Sequence, residues 1–271
     1  MRAGGALASL RGPVARKRAL AFHEVPDVPR FRVFLDRLLA EYEVLALEDW
    51  LDAPLRGRTQ LTLTFDDGYA SWHAEVAPLL SERGVPAIFF VCSGVVGLRG
   101  NEARDFARHR LHRSRELEFI GPRELTDLAA HPLFEVGGHT LTHPDLGRIH
   151  DRATVHEEVA GNRGRLEDSL GTSVRWFSYP FGTPGNVSPL ARAVVEEAGM
   201  SAAFTLIPGK WEPEGGDRFL IARNALDPSA SFSLARAWLH GGYDRLYRLK
   251  PWHRRSAVAR PRAVKRHGCW S

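Results

Sequence analysis

The stretch LTLTFDDGYASWHAEVAPLLSERGVPAIFFV, residues 61–91, contains one complete strand–helix–strand unit. Its two ends, Leu61–Phe65 and Ala87–Val91, are short apolar runs of the kind found in strands that are covered on both faces. Between them, Ser71–Arg83 has a helical pattern, and Gly84 follows where a left-handed residue can end a helix. Because two sheet strands joined by a crossover helix run parallel, this stretch predicts a parallel sheet with helices packed against it.

The same alternation of strands and helices continues along the chain. Further strands are predicted at Ala19–His23, Val44–Leu47, Phe134–Val136, Arg175–Tyr179, Ala202–Leu206 and Phe219–Asn224. Further helices are predicted at Phe31–Tyr42, Pro122–Ala130, Arg152–Leu170 and Pro189–Ala198. About eight strands in about 230 residues favour a closed barrel over an open sheet. We therefore expect an α/β fold built as an irregular (β/α) barrel of seven to eight strands.

The composition excludes several classes of protein. With 44% hydrophobic and 25% charged residues, the chain of 271 residues is neither collagen-like, nor a coiled coil, nor wholly disordered. It contains no apolar run of about 18 residues, which excludes a membrane-spanning helix. Two cysteines, Cys92 and Cys269, cannot form a disulfide framework. The apolar stretch within residues 1–13 is too short and too interrupted to be the hydrophobic region of a secretory signal, so a cytoplasmic location is expected.

The net charge of +5 is distributed unevenly. Residues 1–18 carry five basic side chains, residues 245–271 carry nine, and neither segment contains an acid, so residues 19–244 hold 23 basic and 32 acidic side chains. We predict a basic N-terminal segment (1–18), a barrel domain (19–230) and a helix followed by a basic tail (231–271). The tail could contact an anionic membrane surface, with a solvated tail as the alternative. Because the body is acidic, no nucleic-acid partner is expected.

Two adjacent carboxylates, Asp66 and Asp67, follow the first strand of the quoted unit. Folds with parallel strands place their ligands and catalytic groups at this end of the strands. Neighbouring side chains point in different directions, so one carboxylate can hold a cation while the other moves a proton. A surface turn is the alternative, because Asp-Gly is a common turn dipeptide.

A second candidate site is GGHTLTHP, residues 137–144, which follows another predicted strand. Two histidines four residues apart, His139 and His143, share one face if the loop turns helically, which suits one divalent ion. A lone histidine pair is weak evidence, because histidine also fills protein cores. Together with Asp67, the pair would form a two-histidine, one-carboxylate site with open positions for water and substrate.

The third candidate is WFSYPFG, residues 176–182, which alone would be an aromatic core strand ending in a turn. The motifs TFDDG, HTLTH and FSYPFG, in this order on alternating strand ends, resemble those of the polysaccharide deacetylase (NodB-homology) family, carbohydrate esterase family four. The resemblance covers residues 19–226. It implies a distorted (β/α) barrel that uses a divalent metal ion, most often zinc, to remove the N-acetyl group of an N-acetylated sugar in a polysaccharide or glycan precursor.

The resemblance also implies roles for individual residues. Asp67, His139 and His143 match the metal ligands, and Asp66 matches the general base that takes a proton from a metal-bound water. A backbone N–H near Phe181 is expected to stabilise the oxyanion, and Tyr179 and Tyr69 are assigned with Phe181 to the substrate and oxyanion site.

The chain departs from the family pattern at two positions. Most relatives carry an arginine two residues before the proline of the third motif, where this chain has Ser178. We predict that Arg223 replaces it, with a surface ion pair as the alternative. The late Leu-x-His segment is missing, but LAFHEV, residues 20–25, resembles the opening of the poly-N-acetylglucosamine deacetylase subgroup. The chain is therefore interpreted as circularly permuted, with His23 as the general acid or, alternatively, a buried structural histidine.

Other functions remain compatible with the same motifs. A peptidoglycan deacetylase or an O-acetyl esterase of the family would share the metal site. A non-catalytic, metal-containing glycan-binding barrel is supported only by Ser178, whereas a pure binder has no use for Asp66. The Arg- and His-rich segment Gly97–Phe119 is predicted to be a long insertion loop, and an amphipathic helix is predicted from Ser231.

Overall fold

The computed structural model describes residues 15–55 and 57–248. Eight strands form one sheet in this part of the chain: β1 (Lys17–Phe22), β2 (Glu43–Val44), β3 (Gln60–Asp67), β4 (Ala87–Val91), β5 (Phe134–Gly138), β6 (Trp176–Ser178), β7 (Ala202–Phe204) and β8 (Arg223–Ala225). Most of the predicted basic tail, and residues 1–14 of the predicted N-terminal segment, lie outside the described residues.

The strand order is β7-β6-β5-β4-β3-β1-β8, with β2 also paired to β3, and all these pairs are parallel. The first strand of the chain thus lies between β3 and the last strand. The sheet curls until Phe204 of β7 meets Ile221, which lies two residues before the start of β8. The segment before β8 therefore links the two ends of the sheet into a nearly closed barrel, and the predicted distorted (β/α) barrel is confirmed.

Helices follow most of the strands. They are α1 (Val28–Glu41), α2 (Leu47–Asp52), α3 (Ala77–Glu82), α4 (Gly100–His109), α5 (Pro122–Ala130), α6 (Arg152–His156), α7 (Asn162–Leu170), α8 (Pro189–Glu197), α9 (Phe232–Leu239) and α10 (Gly242–Arg248). A five-residue π-helical turn precedes α3, and another joins α6 to α7. Among the described helices, none combines the length and the apolar character needed to cross a membrane.

Several segments differ from the sequence-based predictions; the predicted strand Phe219–Asn224, for example, is observed as β8 at Arg223–Ala225. The predicted loop at Gly97–Phe119 contains α4, which the apolar pattern missed because its only buried residues are two alanines. The predicted strand Val44–Leu47 ends at Val44, and α2 begins at Leu47. Strand β1 begins at Lys17, so two residues of the predicted N-terminal segment lie in the barrel; one of them, Arg18, forms an ion pair with Asp244 on α10.

Alternation along β3 places apolar and polar side chains on opposite faces of the sheet. Phe65 packs towards the helices, with its ring centroid 5.2–6.4 Å from those of Phe22, Phe31, Phe89 and Trp72. The next residue, Asp66, points to the other face. Aromatic side chains such as Phe90, Trp176 and Phe204 fill that interior. The carboxylate of Asp66 therefore enters the barrel just below its rim.

Candidate active site

The rim formed by the ends of β3, β4 and β5 brings the predicted motifs together. Asp67 is in register with Val91, and Val91 with Gly138, so the three strands end at one level. His139 follows Gly138 directly, and the turn after it returns His143 to the same place. The structure therefore places the three predicted metal ligands side by side.

The Oδ1 atom of Asp67 lies 3.5 Å from Nε2 of His139 and 3.4 Å from Nε2 of His143. One donor atom from each of the three side chains lies within 4.8 Å of the others, and all three residues are buried. Burial alone would raise the pKa of the Asp67 carboxyl, but the neighbouring imidazoles of His139 and His143 lower this pKa well below its ordinary value. The Asp67 carboxyl is therefore ionised at neutral pH.

Further contacts orient these donor atoms. Nδ1 of His139 lies 2.7 Å from the backbone oxygen of Ser178, which can only accept, so Nδ1 carries the proton and Nε2 offers a lone pair. The Tyr69 hydroxyl donates to Oδ2 of Asp67 at 2.7 Å, which leaves Oδ1 facing the imidazoles. Such supporting hydrogen bonds are typical of metal ligands.

The donor set fits a divalent cation. A neutral imidazole Nε2 and a carboxylate oxygen are both acceptors, and buried acceptors that face one another need a cation between them. Nδ1 of His143 has no hydrogen-bond partner among the described residues. Histidine nitrogen and carboxylate oxygen are ligands that zinc accepts, and three protein ligands leave open positions for water and substrate.

The backbone at the rim adopts conformations that L-residues rarely take. Positive φ angles occur at Asp67 (93°), Thr140 (66°), His143 (57°) and Phe181 (58°). Such strain persists only where the surroundings enforce it, and it clusters at functional sites. At Thr140, the side-chain hydroxyl accepts a hydrogen bond from the His143 N–H and closes the histidine turn. Asn162 binds the backbone oxygens of Val91 and Thr140 and thereby fixes two of the loops.

Asp66 is paired with Arg223 inside the barrel. Nη1 of Arg223 lies 2.7 Å from Oδ1 of Asp66 and Nη2 lies 2.6 Å from Oδ2, and both side chains are fully buried. Burial alone would raise the pKa of Asp66, but the charge of Arg223, with His139 and His23, brings this pKa below its ordinary value. The carboxylate is therefore ionised at neutral pH.

All five N–H donors of Arg223 are used. Besides the two bonds to Asp66, they donate to the backbone oxygen of Thr205, the hydroxyl of Thr64 and the hydroxyl of Ser178. Ser178 also donates to Asp66 at 3.2 Å. The structure thus brings Arg223 and Ser178 together beside Asp66. This arrangement is expected if Arg223 makes the contact with Asp66 that an arginine at position 178 would otherwise make.

The cluster of Asp67, His139 and His143 opens, together with Asp66, into a cleft of about 360 Å³. His23, at the end of β1, and Phe181 line the same cleft. The Phe181 ring meets His143 edge-on, with 4.8 Å between centroids. The N–H of Phe181 donates to none of the described residues and remains available to a ligand.

Comparison with known proteins identifies the family. The family model described as polysaccharide deacetylase matches residues 56–203, more than half of the chain. The chain belongs to the polysaccharide deacetylase family. It is 26% identical over 164 residues to a chitooligosaccharide deacetylase of Rhizobium leguminosarum bv. phaseoli, covering 59% of this chain and 60% of that protein. The corresponding enzyme of Sinorhizobium fredii is 28% identical over 168 residues, covering 61% of this chain and 66% of the relative.

Solved structures share the fold of this polysaccharide deacetylase family member. IcaB from Ammonifex degensii superposes with a TM-score of 0.68 at 22% identity, over 84% of this chain and 98% of that chain. The Streptococcus pyogenes deacetylase PplD superposes with a TM-score of 0.67 at 16% identity, over 84% and 99%. At these identities the superpositions establish the architecture.

Two residues assigned from the sequence to the substrate site lie elsewhere in this family member. Tyr179, directly after β6, is fully buried on the outer side of the sheet, and its hydroxyl donates to the backbone oxygen of Phe219. Alternation explains this, since Ser178 points into the barrel and the next side chain must point out. Tyr69 is also buried and contacts Asp67 rather than the cleft.

Three further residues at the site, Asn162, Leu111 and Arg113, are not predicted from the sequence. Asn162 lies at the start of α7, where a buried amide has no local sequence signature. Leu111 and Arg113, which line the cleft, come from the segment that follows α4. Its run of arginines was visible in the sequence, but nothing local indicates that it folds over the barrel rim.

Proposed function

We propose that this chain is a metal-dependent deacetylase that hydrolyses the N-acetyl group of an N-acetylated sugar in a polysaccharide or glycan precursor. The observation that carries the proposal is the shared cleft, in which the buried cluster of Asp67, His139 and His143 adjoins the ionised carboxylate of Asp66. Family membership supports it, as do the relatives named chitooligosaccharide deacetylases.

In this proposal Asp67, His139 and His143 hold the ion, with zinc favoured by the donor set. A divalent ion held there supplies Lewis-acid chemistry, which polarises an acetyl carbonyl and acidifies water.

The other groups in the cleft then have distinct roles. Asp66 removes a proton from the attacking water, and Arg223 keeps that carboxylate ionised and fixed in orientation. The free N–H of Phe181 donates to the oxygen of the acetyl group as negative charge develops on it. His23 protonates the departing amine, since an amide anion is a very poor leaving group. Each of these groups lines the cleft or, in the case of Arg223, contacts one that does.

The contacts of Arg223 also bear on the non-catalytic alternative. The only support for a non-catalytic glycan-binding barrel was Ser178, which stands where most relatives carry an arginine. Because Arg223 supplies a guanidinium to Asp66, that support disappears, and a fully bonded, buried carboxylate beside an ion site is better explained by catalysis.

Acetate release from N-acetylglucosamine oligomers tests the proposal. We expect the purified protein to release acetate, to lose this activity after chelator treatment and to regain it most fully with Zn²⁺ among divalent ions. Acetylated xylan serves as the comparison substrate. Release that is insensitive to the chelator, or release from xylan alone, would contradict the proposal.

The bond from Tyr69 to Asp67 gives a second prediction. Tyr69→Phe removes the donor that orients the carboxylate, so we expect the affinity for Zn²⁺ to fall by roughly 10–100-fold. Competition with a chromophoric chelator measures the change. Tyr179→Phe is the matched control, because its hydroxyl bonds only a backbone oxygen away from the cluster. Equal zinc affinities in both variants would show that Tyr69 does not support the ion site.

A further inference from the structure

The segment over the mouth of the active-site cleft is strongly basic. Residues 106–115, FARHRLHRSR, contain four arginines and two histidines and no acid, although residues 19–244 as a whole carry more acidic than basic side chains. This segment comprises the end of α4 and the loop after it. His112 stacks on Phe181 with 5.9 Å between ring centroids, which holds the loop against the catalytic rim.

A second cleft, of about 660 Å³, adjoins this segment. We call it the arginine cleft; its basic lining residues are Arg104, Arg108, His112, Arg113 and Arg115. Arg113 lines both this cleft and the active-site cleft. The two clefts are therefore neighbours that share one guanidinium, and one extended ligand can occupy both.

The charges of the arginine cleft are only partly neutralised. Arg104 forms an ion pair with Glu116, and Arg115 forms one with Glu24. Within the described part of the chain, neither Arg108 nor Arg113 forms an ion pair with a carboxylate. The group that Arg113 faces is the hydroxyl of Tyr69, which is neutral. Two carboxylates, Asp105 and Glu116, line the arginine cleft beside its four arginines, so the lining keeps a net positive charge next to the active-site cleft.

We propose that the arginine cleft binds an anionic group, a carboxylate or a phosphate ester, attached next to the sugar that is deacetylated. The physiological substrate is then an acidic N-acetylated glycan. This inference rests on the proposed function, because it requires the acetamide to occupy the active-site cleft. Guanidinium groups bind carboxylate and phosphate through paired, charge-assisted hydrogen bonds, whereas a neutral sugar chain offers only hydroxyls. The same positive charge repels the amine product once it is protonated, which favours its release.

Three substrates test the inference: the neutral N-acetylglucosamine tetramer, a tetrasaccharide alternating N-acetylglucosamine with glucuronic acid, and N-acetylglucosamine 1-phosphate. We expect kcat/KM for at least one acidic substrate to exceed that for the neutral tetramer by tenfold or more at low salt. Added salt should reduce this ratio, because the arginines are exposed. The acidic substrate that is preferred identifies the anionic group as a carboxylate or a phosphate ester.

Variants show whether the arginines cause the preference. Arg113→Ala and Arg108→Ala should each lower the ratio of acidic to neutral kcat/KM several-fold, and Arg113→Lys should retain part of it. Zinc content is measured in each variant, because Arg113 lies near Tyr69. Arg165→Ala is the control, since this exposed arginine on α7 lines neither cleft. The inference would be overturned if the unaltered protein had a kcat/KM for the acidic substrates no higher than for the neutral tetramer. It would also be overturned if Arg113→Ala left the ratio of acidic to neutral kcat/KM unchanged.

A binding measurement separates this inference from the proposed function. Calorimetric titration with the acidic tetrasaccharide should show about tenfold weaker binding in Arg113→Ala than in the unaltered protein, independently of turnover. If no substrate releases acetate but this difference is observed, the proposed deacetylation is wrong and the anionic site stands. If acetate is released and binding is unaffected by the substitution, the anionic site is wrong and deacetylation stands.

Discussion

Replacing Arg223 by alanine is expected to lower the free energy of unfolding by about 3–5 kcal/mol, because the substitution leaves the buried Asp66 carboxylate without its counter-charge. The loss should be larger at pH 7 than at pH 4. Without the guanidinium, burial raises the pKa of Asp66, so the carboxyl becomes neutral as the pH falls and the cost of burying its charge disappears. Any remaining folded protein should have little activity, because Asp66 takes up a proton more readily and the guanidinium no longer holds it in orientation.

Urea denaturation at the two pH values measures the first effect, and acetate release by the folded fraction measures the second. Arg152→Ala is the control, because Arg152 forms an exposed ion pair with Glu197, and such pairs are worth about 0–1 kcal/mol. Arg223→Lys should be nearly as damaging as the alanine variant, since one ammonium cannot supply five directed donors. If Arg223→Ala unfolds at the same urea concentration as the unaltered protein, the buried ion pair is not what stabilises the site.

A double substitution tests whether position 178 and position 223 are equivalent. Ser178 and Arg223 both contact Asp66, and their side chains contact each other at 2.6 Å. Ser178→Arg combined with Arg223→Ser moves the guanidinium to the position where most relatives carry it. We expect this double variant to be more stable and more active than Arg223→Ser alone. If the double variant is neither more stable nor more active than Arg223→Ser, Arg223 does not substitute for an arginine at position 178.

The second large effect is expected from the two groups that move protons. Asp66→Asn and His23→Gln should each lower kcat for N-acetylglucosamine oligomers by about 10²–10⁴-fold. Zinc content should stay unchanged in both, because neither residue belongs to the cluster of Asp67, His139 and His143. His150→Gln is the control, since this exposed histidine does not line the cleft.

A substrate with a good leaving group distinguishes the two roles. Nitrophenolate leaves without being protonated, so 4-nitrophenyl acetate needs a base but no acid. His23→Gln should therefore recover most of its rate on this ester, whereas Asp66→Asn should not. Equal losses on both substrates in His23→Gln would exclude His23 as the general acid and favour a structural role.

Much of this fold is readable from local sequence. Short apolar runs followed by helical segments predict a parallel barrel, because each pattern depends on residues close together in the chain. The exceptions have local causes too. Helix α4 buries only two small residues, so it lacks the apolar stripe that marks a helix. Tyr179 was misplaced because its strand alternates faces, which puts it outside the barrel when Ser178 points in.

The amino-acid sequence by itself determined which chemical groups stand at the strand ends: Asp66 and Asp67 after one strand, and His139 and His143 after another. Each of these groups follows a predicted strand by only a few residues. Because β3, β4 and β5 are hydrogen-bonded in register, the carboxyl ends of these strands lie at the same level of the barrel. Only the tertiary structure decided what surrounds them. Arg223 lies 157 residues from Asp66 and reaches it because β8 pairs with β1, which in turn pairs with β3. The basic segment at residues 106–115 meets the cleft only through packing between distant parts of the chain.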